Sequence, residues 1–316
     1  MGSYVVRRLL ALAPTMFFAS LIVFFSIRMI PGDVIDLMLA QNDVASSQDR
    51  DTLRTALGLD QPMWRQYVTW LGAALRGDLG NSLWENAPVG GLILQRLPVT
   101  LELGVLALLV SVSVGIAIGV FSAVRQDTAG DYTARSFSLL MLSVPGFWLG
   151  TLVMVFPSVW WRWSPELEFV PLLDDPWRNL SHVLVPAILL GLSLSAITMR
   201  MTRTMMLEVL RQDYVRTARA KGLGEGAVIF RHALRNSLIP VVTLIGLQAP
   251  LLFGGAVILE QIFLLPGMGT LFLDAVFARD YPIVTGVFLV VGVSVLVINL
   301  LVDLAYGYLD PRVRHG

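Results

Sequence analysis

The chain has 316 residues, 55% of them hydrophobic and 15% charged, with a mean hydropathy of +0.70, and its 23 Lys+Arg balance 23 Asp+Glu to zero formal net charge. Soluble domains carry about 25% charged residues, so the composition excludes an ordinary soluble domain, a coiled coil and a disordered chain. It contains no cysteine, which excludes disulfides and thiolate metal sites. What remains is a polytopic membrane protein.

In chain order, six stretches lack Asp, Glu, Lys and Arg: residues 9–27, 103–124, 136–161, 179–199, 236–259 and 281–302. A membrane-spanning helix needs about 20 mostly apolar residues to cover about 30 Å of hydrocarbon. At 15% charged, a random 22-residue stretch lacks charge only about 3% of the time, while one charge at mid-bilayer costs about 2.5 to 3.5 kcal/mol. The six stretches therefore predict six transmembrane helices in an all-α fold. Arg7 and Arg8 before the first stretch also suit a signal peptide, but the apolar run is too long and no small-x-small site follows Ile27. The first stretch is read as a retained span.

Six spans return the chain to its starting side. That side receives 14 of the 23 basic residues and only 7 of the 23 acidic ones. Cytoplasmic loops retain Lys and Arg, so both termini are expected in the cytoplasm. Zero net charge is then the sum of a basic inner face and an acidic outer one.

The first outer segment, 31–97, is too long for a plain connection. Residues 49–57 suit a short helix stopped by Gly58, and Pro62 suits the first position of the next. Trp64, Tyr67, Val68, Leu71 and Leu75 then recur at helical spacing ahead of a Gly77-Asp78-Leu79-Gly80 turn. That face suits a helix lying on the membrane or capping the outer mouth, or a partner site.

The inner segment 200–235 is strongly basic. Residues 213–221 lack helix breakers and carry Asp213 and Arg216 one turn apart; Gly222, Gly224 and Gly226 follow, and then a second helical piece over 227–235. A helix, a glycine turn and a helix make a rigid cytoplasmic knob that a partner can grip. The alternative is that these arginines only fix membrane orientation.

Other chemistry is disfavoured. Gly222-x-Gly224-x-x-Ala227 has the letters of a dinucleotide fingerprint without its strand or acidic residue, and Lys221, the only lysine, follows no phosphate-binding loop. His182, His232 and His315 have no metal-ligand spacing. The spans contain no Asp, Glu, Lys or Arg and only His182 near one edge, which argues against intramembrane catalysis and proton relays, so the energy source is expected to be a cytosolic partner. No catalytic residue, metal site, cofactor or nucleic-acid partner is assigned.

The inner loop resembles the EAA loop of ATP-binding-cassette importer permeases, with Ala218, Gly222 and Leu234 matching its general pattern. The stretch Tyr214-Val215-Arg216-Thr217-Ala218-Arg219-Ala220-Lys221-Gly222-Leu223, followed by 232–240 ending at Pro240, is similar to the dipeptide/oligopeptide/nickel branch of that family. The likeness continues through Ile30-Pro31-Gly32-Asp33, 57–62, 76–80, Pro98-Val99-Thr100-Leu101, Ser143-Val144-Pro145, Gly254-Gly255, Pro266-Gly267-Met268-Gly269 and Leu309-Asp310-Pro311-Arg312.

This resemblance implies a type I importer permease of the bacterial cytoplasmic membrane. It would be half of a channel formed with a paralogous permease, driven by two cytosolic ATPase subunits that bind ATP and Mg, and fed by an extracytoplasmic solute-binding protein. The implied divisions are 1–30 (N-terminus and first span), 31–97 (outer segment), 98–305 (permease core with its coupling loop) and 306–316 (cytoplasmic tail). Arg216, Thr217, Ala218, Arg219, Ala220, Lys221, Gly222, Leu223 and Glu225 would form the ATPase-docking helix and turn, with Ala218, Gly222 and Leu223 at the contact and Arg219, Lys221 and Glu225 at its rim. Peptides are the favoured solute; nickel complexes, glutathione or another small solute, or an ATPase-independent channel, are the alternatives. Glu260, Gln261 and Asn299 are candidate solute-path residues, although groups of this kind more commonly serve helix–helix hydrogen bonds or sit solvated at a mouth. Pro145, Gly146, Pro240, Gly254 and Gly255 suit close packing or local unwinding.

Overall fold

A computed structural model describes residues 2–29, 34–41, 47–162 and 168–309. Among the described residues the regular structure is helical: α1 (Gly2–Met29), α2 (Val34–Gln41), α3 (Ser47–Ala56), α4 (Met63–Ala74), α5 (Val89–Val124), α6 (Ala129–Ser143), α7 (Gly146–Trp161), α8 (Pro176–Leu210), α9 (Asp213–Ala220), the single turn α10 (Glu225–Ala227), a π-helical segment (Val228–Leu234), α11 (Arg235–Ile262), α12 (Met268–Ala278) and α13 (Tyr281–Leu309). The chain divides into two compact units. One comprises Met1–Pro98 with Gly267–Leu296, the other Val99–Pro266 with Val297–Gly316.

Four helical stretches are long and apolar enough to cross a membrane: Val89–Val124, Pro176–Leu210, Glu225–Gln248 and Tyr281–Val302. The first charge-free stretch lies in α1, whose side chains are described from Pro14 onward. The third differs from the expected single transmembrane helix. It is two helices, α6 and α7, bent by 90°. A proline disfavours the helical conformation of the residue before it, and Val144, before Pro145, is extended at φ −89°, ψ 122°.

In the first unit, α3 ends at Ala56, and Gly58 in the turn that follows is left-handed at φ +65°. Pro62 is the N-cap of α4, one residue ahead of its expected place. The apolar face of α4 is only partly covered by the chain. Tyr67 is buried and stacks among α1 aromatics, 5.2 Å from the Phe24 ring, with its hydroxyl 2.9 Å from Ser20 Oγ, whereas Trp64 is 65% and Leu75 81% exposed. Gly77 and Gly80 are both left-handed, and Asp78 Oδ1 accepts from Gly80 N at 2.9 Å. The strand-like bridge Asn81↔Pro88 follows. This loop is pinned to the α12–α13 junction: Ser82 Oγ and Leu83 N donate to Asp280 Oδ2 at 2.6 and 3.0 Å, and Trp84 Nε1 donates to the Ala278 carbonyl at 2.9 Å. Val89, Ile93, Met268, Leu271 and Val284 form the core beneath.

In the second unit, α8 starts at Asp175, whose carboxylate caps Trp177 N and Arg178 N at 3.1 Å, with Pro176 at the first helical position. The core gathers Leu103, Ala107, Val183, Ala187, Ala256 and Leu265 from α5, α8 and the α11 end. Small residues let α5 and α8 approach closely. A Cβ on Gly115 would stand 2.6 Å from Thr198 Cβ, and one on Gly119 would stand 2.8 Å from the Met199 carbonyl. Across the crossing, a Cβ on Gly191 would meet the Ala107 carbonyl at 2.5 Å. Gly254, by contrast, has no atom within 4 Å of its Cβ position, so close packing within this unit falls to other glycines than that one.

Candidate functional site

The knob is built as the sequence predicts and is tied together at three points. α9 is short, with Asp213 in its first turn and Arg216 reaching back to it at 3.3 Å. Its apolar side, Val215 and Ala218, packs on Val228 and on Val209 and Leu210 at the end of α8. Only 7% of Ala218 is exposed, which corrects its expected place at the contact surface: it holds the knob together from within. The exposed surface consists of Arg216, Thr217, Arg219, Ala220, Lys221, Gly222, Leu223 and Glu225.

The turn ends α9 in a Schellman arrangement. Gly222 sits at φ +77°, its N–H donates to the Arg219 carbonyl at 2.9 Å, and Leu223 N donates to the Ala218 carbonyl at 3.4 Å. Arg219 then bridges the turn with a two-pronged contact to Glu225, at 2.8 and 3.3 Å. That hydrogen-bonded cation holds the Glu225 carboxyl below its ordinary range and raises the Arg219 pKa in return. Two of the three expected rim charges therefore satisfy each other, and Lys221 has no carboxylate partner among the described residues.

The knob is joined to the following long helix by polar contacts. Asn236 Nδ2 donates to Tyr214 Oη at 2.8 Å and to the His232 carbonyl at 3.2 Å. Between them the chain is π-helical over Val228–Leu234, a geometry that often marks functional positions. Movement of α9 therefore has a direct polar link to the start of α11.

Residues 122, 131 and 203 form a second node that the sequence reading missed. Asp131 at the start of α6 is buried, and Arg203 of α8 grips both its oxygens at 2.9 and 2.7 Å. Ser122 of α5 donates to the same carboxylate and accepts from Arg203 Nε at 3.0 Å. Both charges lie outside the charge-free stretches. Arg203, aided by Ser122 and the Asp127 amide, holds the Asp131 carboxyl well below the carboxylate range despite its burial. The available signal was an acid and an arginine each close to the basic end of a span.

Inside the spans, Gln248 of α11 donates to Thr198 of α8 at 3.1 Å and accepts from Ser111 of α5 at 3.3 Å, linking three helices through buried side chains. Of the candidate solute-path residues, Glu260 is fully buried and accepts from Thr100 Oγ1 at 2.6 Å, which is a helix–helix hydrogen bond. Gln261 and Asn299 are partly exposed and are not brought into contact with it by any described hydrogen bond.

Two family models together match most of the chain. The one described as binding-protein-dependent transport system inner membrane component matches residues 115–315, and its N-terminal companion matches residues 1–104. The chain is 40% identical to the dipeptide transport system permease protein DppB of Escherichia coli K12, covering 100% of this chain and 99% of that one. It is 41% identical to a protein of Brucella abortus strain 2308 named for a peptide transport system permease, covering 100% of both. Among solved structures, a crystal structure of an amino acid ABC transporter with histidines matches with a TM-score of 0.46 and 14% identity, covering 70% of this chain and 94% of that one.

Proposed function

This chain belongs to the family of binding-protein-dependent transport system inner membrane components, and on that premise we propose that it is one permease subunit of an ATP-driven peptide importer. It is a multi-pass protein of the inner membrane. In this reading it crosses six times, with α6 and α7 counted as one broken span and both termini in the cytoplasm. A paralogous permease completes the channel, and an extracytoplasmic binding protein delivers the peptide. Two cytosolic ATPase subunits bind ATP and Mg and do the hydrolysis.

Coupling is assigned to the knob. ATP drives the cycle through its preference for the closed ATPase pair, which carries the docked knobs together and opens the channel outward; hydrolysis reverses the movement. The observation that carries the assignment is the polar link from α9 to α11 through Tyr214 and Asn236, because a knob tied to a span transmits displacement. Its tip, Lys221 to Leu223, is exposed and is the surface an ATPase would hold.

The test is solute-stimulated ATPase activity of the assembled transporter. Gly222→Pro removes the N–H bonded to Arg219 and cannot adopt a positive φ. It is expected to abolish stimulation while leaving membrane insertion intact, as is joint reversal by Arg219→Glu and Lys221→Glu. Unchanged stimulation in both variants would refute docking at the knob. A ligand screen on the cognate binding protein reads the solute, with peptides expected in place of nickel complexes or glutathione.

A further inference from the structure

The node around Asp131 and Arg203 borders a cavity of about 240 Å³ lined by Arg135, Leu139, Met199, Arg200, Arg203 and Thr204. Three arginines therefore line one small space between α6 and α8, and no carboxylate lines it. Arg203 is charge-balanced and held rigid by its two-pronged contact with Asp131. Arg135 and Arg200 have no carboxylate partner among the described residues; Arg135 only overlies the Tyr132 ring at 5.6 Å. The cavity thus carries two uncompensated positive charges beside a fixed third arginine.

Its depth is set by the sequence. Arg135 is the last charged residue before the stretch 136–161, and Arg200 is the first after 179–199. Both stand at the boundary between hydrocarbon and water, on the basic face of the protein. Leu139 is one turn deeper than Arg135 on the same face of α6 and is 58% exposed, while Met199, which also lines the cavity, is buried. Arginines at the edge of the charge-free stretches, with an exposed leucine one turn deeper, match the profile of a phospholipid, whose phosphate is followed by its acyl chains. A soluble phosphate has no use for the apolar half.

We propose that this cavity binds the phosphate of an anionic membrane phospholipid, with Arg135 and Arg200 as its ligands and Arg203 as a fixed wall. Basic pockets between membrane helices on the cytoplasmic side are suited to such headgroups. Zwitterionic lipids offer the same phosphate beside a compensating ammonium, so discrimination comes from net charge. The site is independent of which solute the transporter carries.

Native mass spectrometry of the detergent-extracted full-length protein in its complex tests this, with dioleoylphosphatidylglycerol, dioleoylphosphatidylcholine and inorganic phosphate as probes. The wild type should retain phosphatidylglycerol in preference to phosphatidylcholine. Arg135→Gln with Arg200→Gln should weaken retention about thirty-fold, as about five-fold for each arginine near a lipid surface compounds. Arg211→Gln with Arg231→Gln removes the same charge elsewhere and should leave retention within about three-fold, where non-specific attraction would not distinguish the pairs. Leaving Arg203 in place spares the node that holds α6 to α8. Equal retention of the two lipids, or a double variant at Arg135 and Arg200 no weaker than its control, would overturn the proposal. So would displacement of the lipid by inorganic phosphate, which makes this a soluble-anion site. Loss of the second permease from the double variant with lipid retention unchanged would instead make the cavity a protein contact.

Discussion

Asp131 is the residue with the most at stake. A carboxylate removed from water is tolerated only when paired and hydrogen-bonded, and here Arg203, Ser122 and the Asp127 amide supply that pairing. Removing the cation alone with Arg203→Met should cost about 3 to 5 kcal/mol, while Asp131→Leu with Arg203→Met, which leaves no orphan charge, should recover most of it. Thermal unfolding of the purified chain measures both. Because the folded-state pKa of Asp131 is depressed, its stabilisation is fully present above the ordinary carboxylate pKa and is lost progressively as pH falls from there through the depressed value. The Arg203 effect should therefore persist unchanged down to the ordinary carboxylate range. Composition foretold that charges sit outside the spans, but pairing between residues 72 apart is a property of how α6 meets α8, which one-dimensional spacing does not encode. The same limit applies to Ala218: the motif marks the position, and only packing against Val228 shows that it faces inward.

At the scale of elements, periodicity and breakers were informative wherever local physics decides. Gly58, Gly77, Gly80 and Gly222 each stop or turn the chain through a left-handed conformation, as their place in the sequence predicts. Hydropathy found the apolar stretches but not their shape, since it counts a span broken at Pro145 the same as a straight one. It also missed the contact surface of α5 and α8, although Gly115 and Gly119 stand at the four-residue spacing that permits close approach. The apolar face of α4 is divided between two surroundings. Trp64 and Leu75 share the apolar period with Tyr67, but Tyr67 and Trp70 are the ones that reach the α1 aromatics. The helix crossing yields a graded prediction. Gly191→Ala forces a methyl against the Ala107 backbone and should destabilise by about 1 to 3 kcal/mol, whereas Gly254→Ala, with open space, should be neutral or slightly stabilising. Unfolding temperatures of the two single variants check the contrast. Equal effects would mean that α5 and α8 do not approach as described.

For the whole molecule, the proposed six-span topology splits the balanced net charge into 14 basic and 7 acidic residues on the face that carries the knob, against 9 and 16 on the other. That asymmetry is legible in the sequence once the spans are drawn, and it is the argument for proposing that the knob lies on the side where ATP is available. Family membership was legible too, because motifs recur from end to end and the relatives match over the whole length. Solute choice was not, since the buried polar groups at Glu260 and Gln248 are occupied with other helices and offer no shape to read. The account therefore rests on one mechanical claim, that an ATPase grips the turn after α9. The absence of cysteine allows a single thiol to be placed there. In inside-out vesicles holding the assembled transporter, Leu223→Cys is predicted to cross-link to an ATPase subunit, and the same thiol in a Gly222→Pro background to lose that cross-link. A Leu223→Cys thiol that reacts only from the extracytoplasmic side, or that labels freely without joining an ATPase, would contradict it.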